Sequence, residues 1–124
     1  MRISNRLVIA LAGCGAMNMT AAGLEAGQAY SVMRFRRGLK EAYNAIVDSE
    51  REIIRECGLS IGEGGRIEGS GEQLVRFGRM RDELREDCSE IEATPLPYGD
   101  WHLLVRENRG LAALEDELEN ILWT

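Results

Sequence analysis

His102 is the one side chain in this 124-residue sequence that exchanges a proton near neutral pH. It stands between Trp101 and Leu103, with no serine or cysteine nucleophile close by in the chain. Ser31, Ser49 and Ser89 sit in no strand-turn-helix nucleophile motif. Asp82/Glu83, Glu86/Asp87 and Glu115/Asp116/Glu117 bring carboxylates together in sequence, but neighbours on a helix point to different sides. They read as solvated faces rather than as an acid/base pair or a metal cradle. Cys14, Cys57 and Cys88 form no Cys-x-x-Cys spacing, and a lone histidine completes no zinc ligand set. Gly62, Gly64, Gly65 and Gly69 supply turn chemistry, because no Gly-Lys-Ser/Thr ending follows to cradle a phosphate. The sequence therefore reads as a non-enzyme, with no catalytic residue, no metal site and no cofactor.

What remains is chemistry of contact. Tyr98, Trp101 and Trp123 crowd the C-terminal quarter, where they either close the core or anchor a partner interface. Arg34, Arg36, Arg37 and Lys40 form the densest basic stretch. The four cannot all share one helical stripe, so they read as solvated or ion-paired surface, with anion contact through Arg34 and Arg37 as the alternative. The net charge of −6 is unevenly spread. Residues 1–40 carry six bases against Glu25 alone, a net of +5; residues 41–124 carry nine against twenty acids, a net of −11. An acidic chain is a poor nonspecific nucleic-acid binder, since affinity for phosphates follows the cations presented. The three cysteines, odd in number and far apart, read as free thiols of a reducing cytoplasm.

Residues 11–14, LAGC, resemble the lipobox of bacterial lipoproteins, in which the cysteine is lipidated after cleavage. Arg2 and Arg6 would supply its positive flank, but the apolar stretch Leu7 to Ala12 is shorter than the usual ~7 to 15 residues. The competing reading is an amphipathic first helix capped by Ser4 or Asn5, with Ile3, Leu7, Ala10 or Leu11, Cys14 and Met17 at helical spacing. Membrane association is expected only if Cys14 is lipidated.

These groups need elements to position them. After a break at residues 18–23, with Thr20 as candidate cap, Val32, Phe35, Leu39, Tyr43 or Ala42, Ile46, Ile53 and Cys57 recur at steps dominated by three and four. One long helix is predicted, weakened by Gly38 and stopped by Gly58. Residues 58–70 predict a small β-hairpin or ordered loop. Ser70 and Gln73 form a capping box opening a third helix through Leu74, Phe77, Met80, Leu84, Cys88 and Ile91. Residues 89–99 predict an extended strand or crossing segment, with Pro95 and Pro97 in it. Asp100 is the expected cap of a short helix, Gly110 a break, and LAALEDELENILW at 111–123 a last helix.

The composition, 44% hydrophobic and 6% aromatic with two prolines, supports one compact domain over residues 1–124. Its expected class is mainly α: a long antiparallel helical hairpin with a glycine-rich β-hairpin-like tip, one short strand and short terminal helices. In this order, RISN at 2–5, AYSVMRFRRGLKEAYNAIVDSEREIIRECG at 29–58, IEATPL at 91–96 and LAALEDELE at 111–119 resemble small uncharacterised helical proteins encoded by tailed bacteriophages and prophages. The resemblance is architectural and covers most of the chain, although arginine stands here where such proteins are often lysine-rich. It implies a non-catalytic protein-interaction module, an accessory or structural protein of particle or tail assembly in the bacterial cytoplasm or the virion. It carries no site residue over. A homo-oligomer or a protein partner is expected. The alternatives are a counter-defence protein that inhibits a host immune factor or sequesters a small signalling ligand, and a lipoprotein anchored through Cys14.

Overall fold

The computed structural model describes residues 1–122. The chain opens with strand β1 (Arg2–Ser4), followed at once by helix α1 (Asn5–Gly13). Ser4 caps that helix, its Oγ accepting from the Leu7 amide at 3.2 Å. Ile3 thus belongs to a strand, and the helix stops at Gly13, short of the Cys14 and Met17 included by the apolar spacing. A short 3-10 turn (Ala16–Asn18) leads toward helix α2 (Ala26–Glu56). At 31 residues this helix is about 46 Å long. Its first half lays Val32, Phe35 and Leu39 into the core.

Thr20 is not the cap of α2, which begins after Glu25 without a side-chain cap. Instead the Thr20 amide donates to Asn108 Oδ1 (2.7 Å), and Asn108 Nδ2 donates to the Thr20 carbonyl (2.8 Å) and the Leu104 carbonyl (2.9 Å). One asparagine side chain thereby ties the connection before α2 to the far end of the molecule. Gly38, a weak point for helix propensity, lies under the segment that crosses α2: a Cβ there would stand 3.2 Å from Ile91 Cγ2. Gly58 ends α2 at φ +71°, the left-handed geometry that favours glycine at this position.

The tip pairs β2 (Ser60–Ile61) with β3 (Ile67–Glu68) antiparallel, Ser60 opposite Glu68 and Ile61 opposite Ile67. Helix α3 (Gly71–Glu86) then returns along α2. Both halves of its capping box form, Gln73 N–H to Ser70 Oγ at 3.2 Å and Ser70 N–H to Gln73 Oε1 at 2.8 Å.

The predicted continuation of α3 through Cys88 and Ile91 does not occur. Asp87 is extended, and Cys88–Glu90 form strand β4, antiparallel to β1 with Ile3 opposite Ser89. The long-range strand partner overrides the helical periodicity. The Asn5 amide donates to the Asp87 carbonyl (2.8 Å) and the Ile91 amide to the Met1 carbonyl (2.9 Å), extending the ladder at both ends. Of residues 89–99, expected as an extended strand or crossing segment, only Ser89 and Glu90 belong to β4; the following stretch crosses without regular structure and buries Ile91 and Leu96. Among the described residues there are thus four short strands in two small sheets: the hairpin at the tip and the one further strand were expected, and β1 is the addition.

Helix α4 (Tyr98–Glu107) starts at Pro97 rather than at Asp100, which lies in its first turn. The predicted last helix is split: a 3-10 segment (Arg109–Leu114) carries Leu111, and α5 (Glu115–Leu122) buries Leu118, Ile121 and Leu122. One main core draws on nearly every element, with Val8, Leu11, Phe35, Leu39, Trp101, Leu104, Leu111 and Leu118 all at 1% exposure or less.

Asn5 is the one buried polar residue among those described. Its Nδ2 donates to the Leu84 carbonyl at 2.7 Å and its Oδ1 accepts from Ser89 Oγ at 2.6 Å. Asn5→Ala would leave a half-buried carbonyl and a hydroxyl without these partners and is expected to cost about 2 kcal/mol, against about 1 kcal/mol for Ser89→Ala, which spares the Leu84 bond. Urea unfolding of the two variants checks both the loss and its order.

Candidate functional site

The residues with chemical potential are dispersed. His102 is exposed on α4 with its ring edge-on to Tyr98, centroids 4.1 Å apart. Ser31 Oγ donates to the Gly27 carbonyl, and Ser89 Oγ is spent on Asn5. Cys14, Cys57 and Cys88 are free; Cys14 donates to the Leu11 carbonyl, and the buried Cys57 lies 3.7 Å from Met80 Sδ. Among the described residues no three His, Cys, Asp or Glu side chains are placed to hold a metal ion. No described helix is long and apolar enough to cross a membrane. Leu11 of the LAGC segment lies in the main core with Ile3 and Val8, and Cys14 packs against that core.

The three aromatics read as core or as interface part company. Trp101 is fully buried in the main core, so it offers no surface to a partner. Tyr98 is 60% exposed. Trp123 lies outside the described residues. The sequence could not sort them, because Trp101 and Tyr98 sit three residues apart on one short helix and differ only in how its first turn docks.

Two surfaces stand out by their exposed apolar groups and charges. The first is the distal half of the hairpin, here called the arm. Beyond Ile46 its residues form a second small core of their own: Cys57, Leu59 and Phe77, with Ile53, Ile54, Ile67 and Met80 packed round them. Three buried residues leave apolar side chains outside. Ile61 is 60% exposed, Val75 75% and Leu74 39%. Two open grooves flank this core. One of about 530 Å³ is lined by Cys57, Glu72, Gln73, Val75, Arg76 and Arg79. Another of about 360 Å³ is lined by Arg51, Ile54, Arg55, Leu59 and Ile61. The charges around them alternate in sign: Arg51 pairs with Asp48 at 3.6 Å, Arg55 with Glu52 at 2.8 Å, and Arg76 of α3 with Glu56 of α2 at 3.8 Å.

The second surface is the solvent face of the first half of α2. Arg34 is ion-paired to Glu92, and its guanidinium lies 5.6 Å from the Tyr30 ring centroid. Arg37 is exposed and lines two openings. Arg34 and Arg37 line one cleft together with Glu41, Glu90 and Glu92; along a second groove Arg37 is grouped with Arg36 and Lys40. Their spacing of three and four residues signals this, but which arginine is neutralised depends on where Glu92 falls, a fact of tertiary structure.

The fold and these surfaces define a small, mainly helical protein with a compact body and a two-helix arm. Comparison of the chain with known protein families, with curated proteins and with solved structures finds no match.

Phe77 is the largest side chain of the arm core. Phe77→Ala is expected to cost about 3 kcal/mol and to loosen the arm before the body. Limited proteolysis checks this: cleavage within residues 60–70 is expected to accelerate while the near-ultraviolet dichroism of the body's Trp101 stays in place.

Proposed function

We propose that the chain is a non-catalytic protein-interaction module, a phage- or prophage-encoded accessory or structural protein of particle or tail assembly, that associates with its own copies through the arm. One observation carries the reading: an arm with a separate three-residue core exposes Ile61, Leu74 and Val75. Apolar groups of this size left in water on a projecting element are stabilised when a partner covers them. The mixed signs of Arg51, Arg55, Arg76 and Arg79 beside Asp48, Glu52, Glu56 and Glu72 favour a second copy as that partner. In a two-fold contact each surface meets its own kind, so a face bearing both signs complements itself, whereas a single-sign face repels itself. The architectural likeness to phage-encoded helical proteins supports the assembly role.

Light scattering over a range of concentrations tests this. The wild-type chain is expected to rise above monomer mass, and Ile61→Asp with Val75→Asp, both at exposed positions, is expected to return it to monomer without loss of helical dichroism. A wild-type chain that stays monomeric at every concentration, or a double variant that associates as before, would sink the reading.

A further inference from the structure

The acidic chain concentrates cations at one place. No acid lies between Glu25 and Glu41, and Arg34, Arg36, Arg37 and Lys40 fall inside that window. The structure divides them. Arg34 is neutralised by Glu92. Arg36, Arg37 and Lys40 line an open groove of about 400 Å³ with Met17, Asn18 and Met33, and no acidic side chain lines it. Among the described residues these three cations form no ion pair within the chain. Glu41, Glu90 and Glu92 lie on the far flank of Arg37, round an adjoining cleft.

Like charges three and four residues apart on a helix repel, and an acid placed nearby would relieve them. Here no carboxylate lines the groove itself, and Glu41, four residues on from Arg37, faces the adjoining cleft, whereas Arg51, Arg55, Arg76 and Arg106 each pair with a carboxylate. Arg36 is also positioned in advance, its Nη1 donating to the Met19 carbonyl at 3.1 Å. Apolar contact surface accompanies the charge: Tyr30 is 62% exposed and Met33 46%. Tyr30, Met33, Arg37 and Lys40 recur every three or four residues, a continuous face about 15 Å long. Tyrosine, methionine and arginine are the residue types that dominate protein interfaces.

This arrangement discriminates between anions. A phosphate site draws on converging backbone N–H groups, as at a helix N-terminus or a glycine loop. Residues 30–40 lie inside α2, where the backbone donors are already spent on the helix. The cations are strung along an open track instead of closing round a point. Carboxylates at three- and four-residue spacing on a helix advance about 5 Å per turn, the same step as Arg36 or Arg37 to Lys40. We propose that this groove is a docking site for an acidic amphipathic segment of a partner protein, its carboxylates on Arg36, Arg37 and Lys40 and an apolar side chain against Met17 and Met33.

The proposal rests on the chain being an interaction module, but not on the arm. Its test is fluorescence anisotropy with a labelled synthetic peptide of about fourteen residues, helical, with Glu and Leu at three- and four-residue spacing. Binding is expected, weakening roughly tenfold between about 50 and 300 mM salt. Arg37→Glu with Lys40→Glu, both exposed, is expected to lower affinity at least about tenfold. Met33→Ala is expected to weaken it without changing the salt dependence. The Ile61→Asp/Val75→Asp variant is expected to bind the peptide as wild type does, so failure of the arm reading is separable from failure of this one. No binding up to about millimolar peptide, or binding indifferent to the charge reversal, overturns the proposal. Pyrophosphate or duplex DNA binding more tightly than the peptide overturns it in favour of a phosphate ligand. Self-association abolished by Arg37→Glu/Lys40→Glu overturns it in favour of a second copy.

Discussion

The buried amide of Asn5 joins three parts of the chain that no short-range preference would bring together. It takes the Leu84 carbonyl at the end of α3, the Ser89 hydroxyl of β4 and, through its backbone, the Asp87 carbonyl between them. A polar side chain in an apolar core is stable only when its donors and acceptors are met, and a misdocked N-terminus would leave them unmet. The strand pairing of residues 2–4 with 88–90 follows from the same clasp, and the clasp fixes where α1 lies on α2 and α3. Ile3, Val8 and Leu11 then enter the core that Trp101, Leu111 and Leu118 complete from the other side. The order of events in space is thus first residues to middle residues, with the C-terminal elements closing over them.

One consequence is an uneven distribution of stability. The body has a core shared by most elements, while the arm rests on Cys57, Leu59 and Phe77 and their partly buried neighbours. Local opening follows apolar burial, so the arm is the low-stability end of the molecule. It also carries exposed apolar groups with mixed charges, whereas the groove on α2 stands on the rigid body with charges of one sign. The two proposed contacts therefore differ in kind, a self-complementary one at the arm and one for an acidic segment at the body.

Much of this was legible in the sequence where the cause is local. Ser70 and Gln73 are three residues apart and form both bonds of their box; the three-and-four spacing from Val32 to Ile46 gives the buried face of α2; Gly58 stops it. The long hairpin with its glycine-rich tip follows from those features alone. What escaped was decided by distant partners. Strand β1 is three residues long and its partner begins at Cys88, so nothing in its own composition marks it. Ile91 continued the apolar period of α3 but is buried by packing on Gly38 beyond the strand. Thr20 had the right type for a cap and is used by Asn108 instead. At the groove, the residue types were visible, but that Glu92 pairs with Arg34 and that Arg37 turns toward Arg36 and Lys40 are facts of tertiary structure.

Native-state amide hydrogen exchange on the intact chain tests the central claim most directly. If the N-terminal clasp holds the body together and the arm stands on its own small core, the amides of Asn5, Val8, Leu11 and Ile91 exchange only through global unfolding. Those around Leu59 and Phe77 then exchange through a smaller, separate opening of lower free energy. Exchange of residues 1–13 ahead of the arm, or uniform protection across both, would contradict the account.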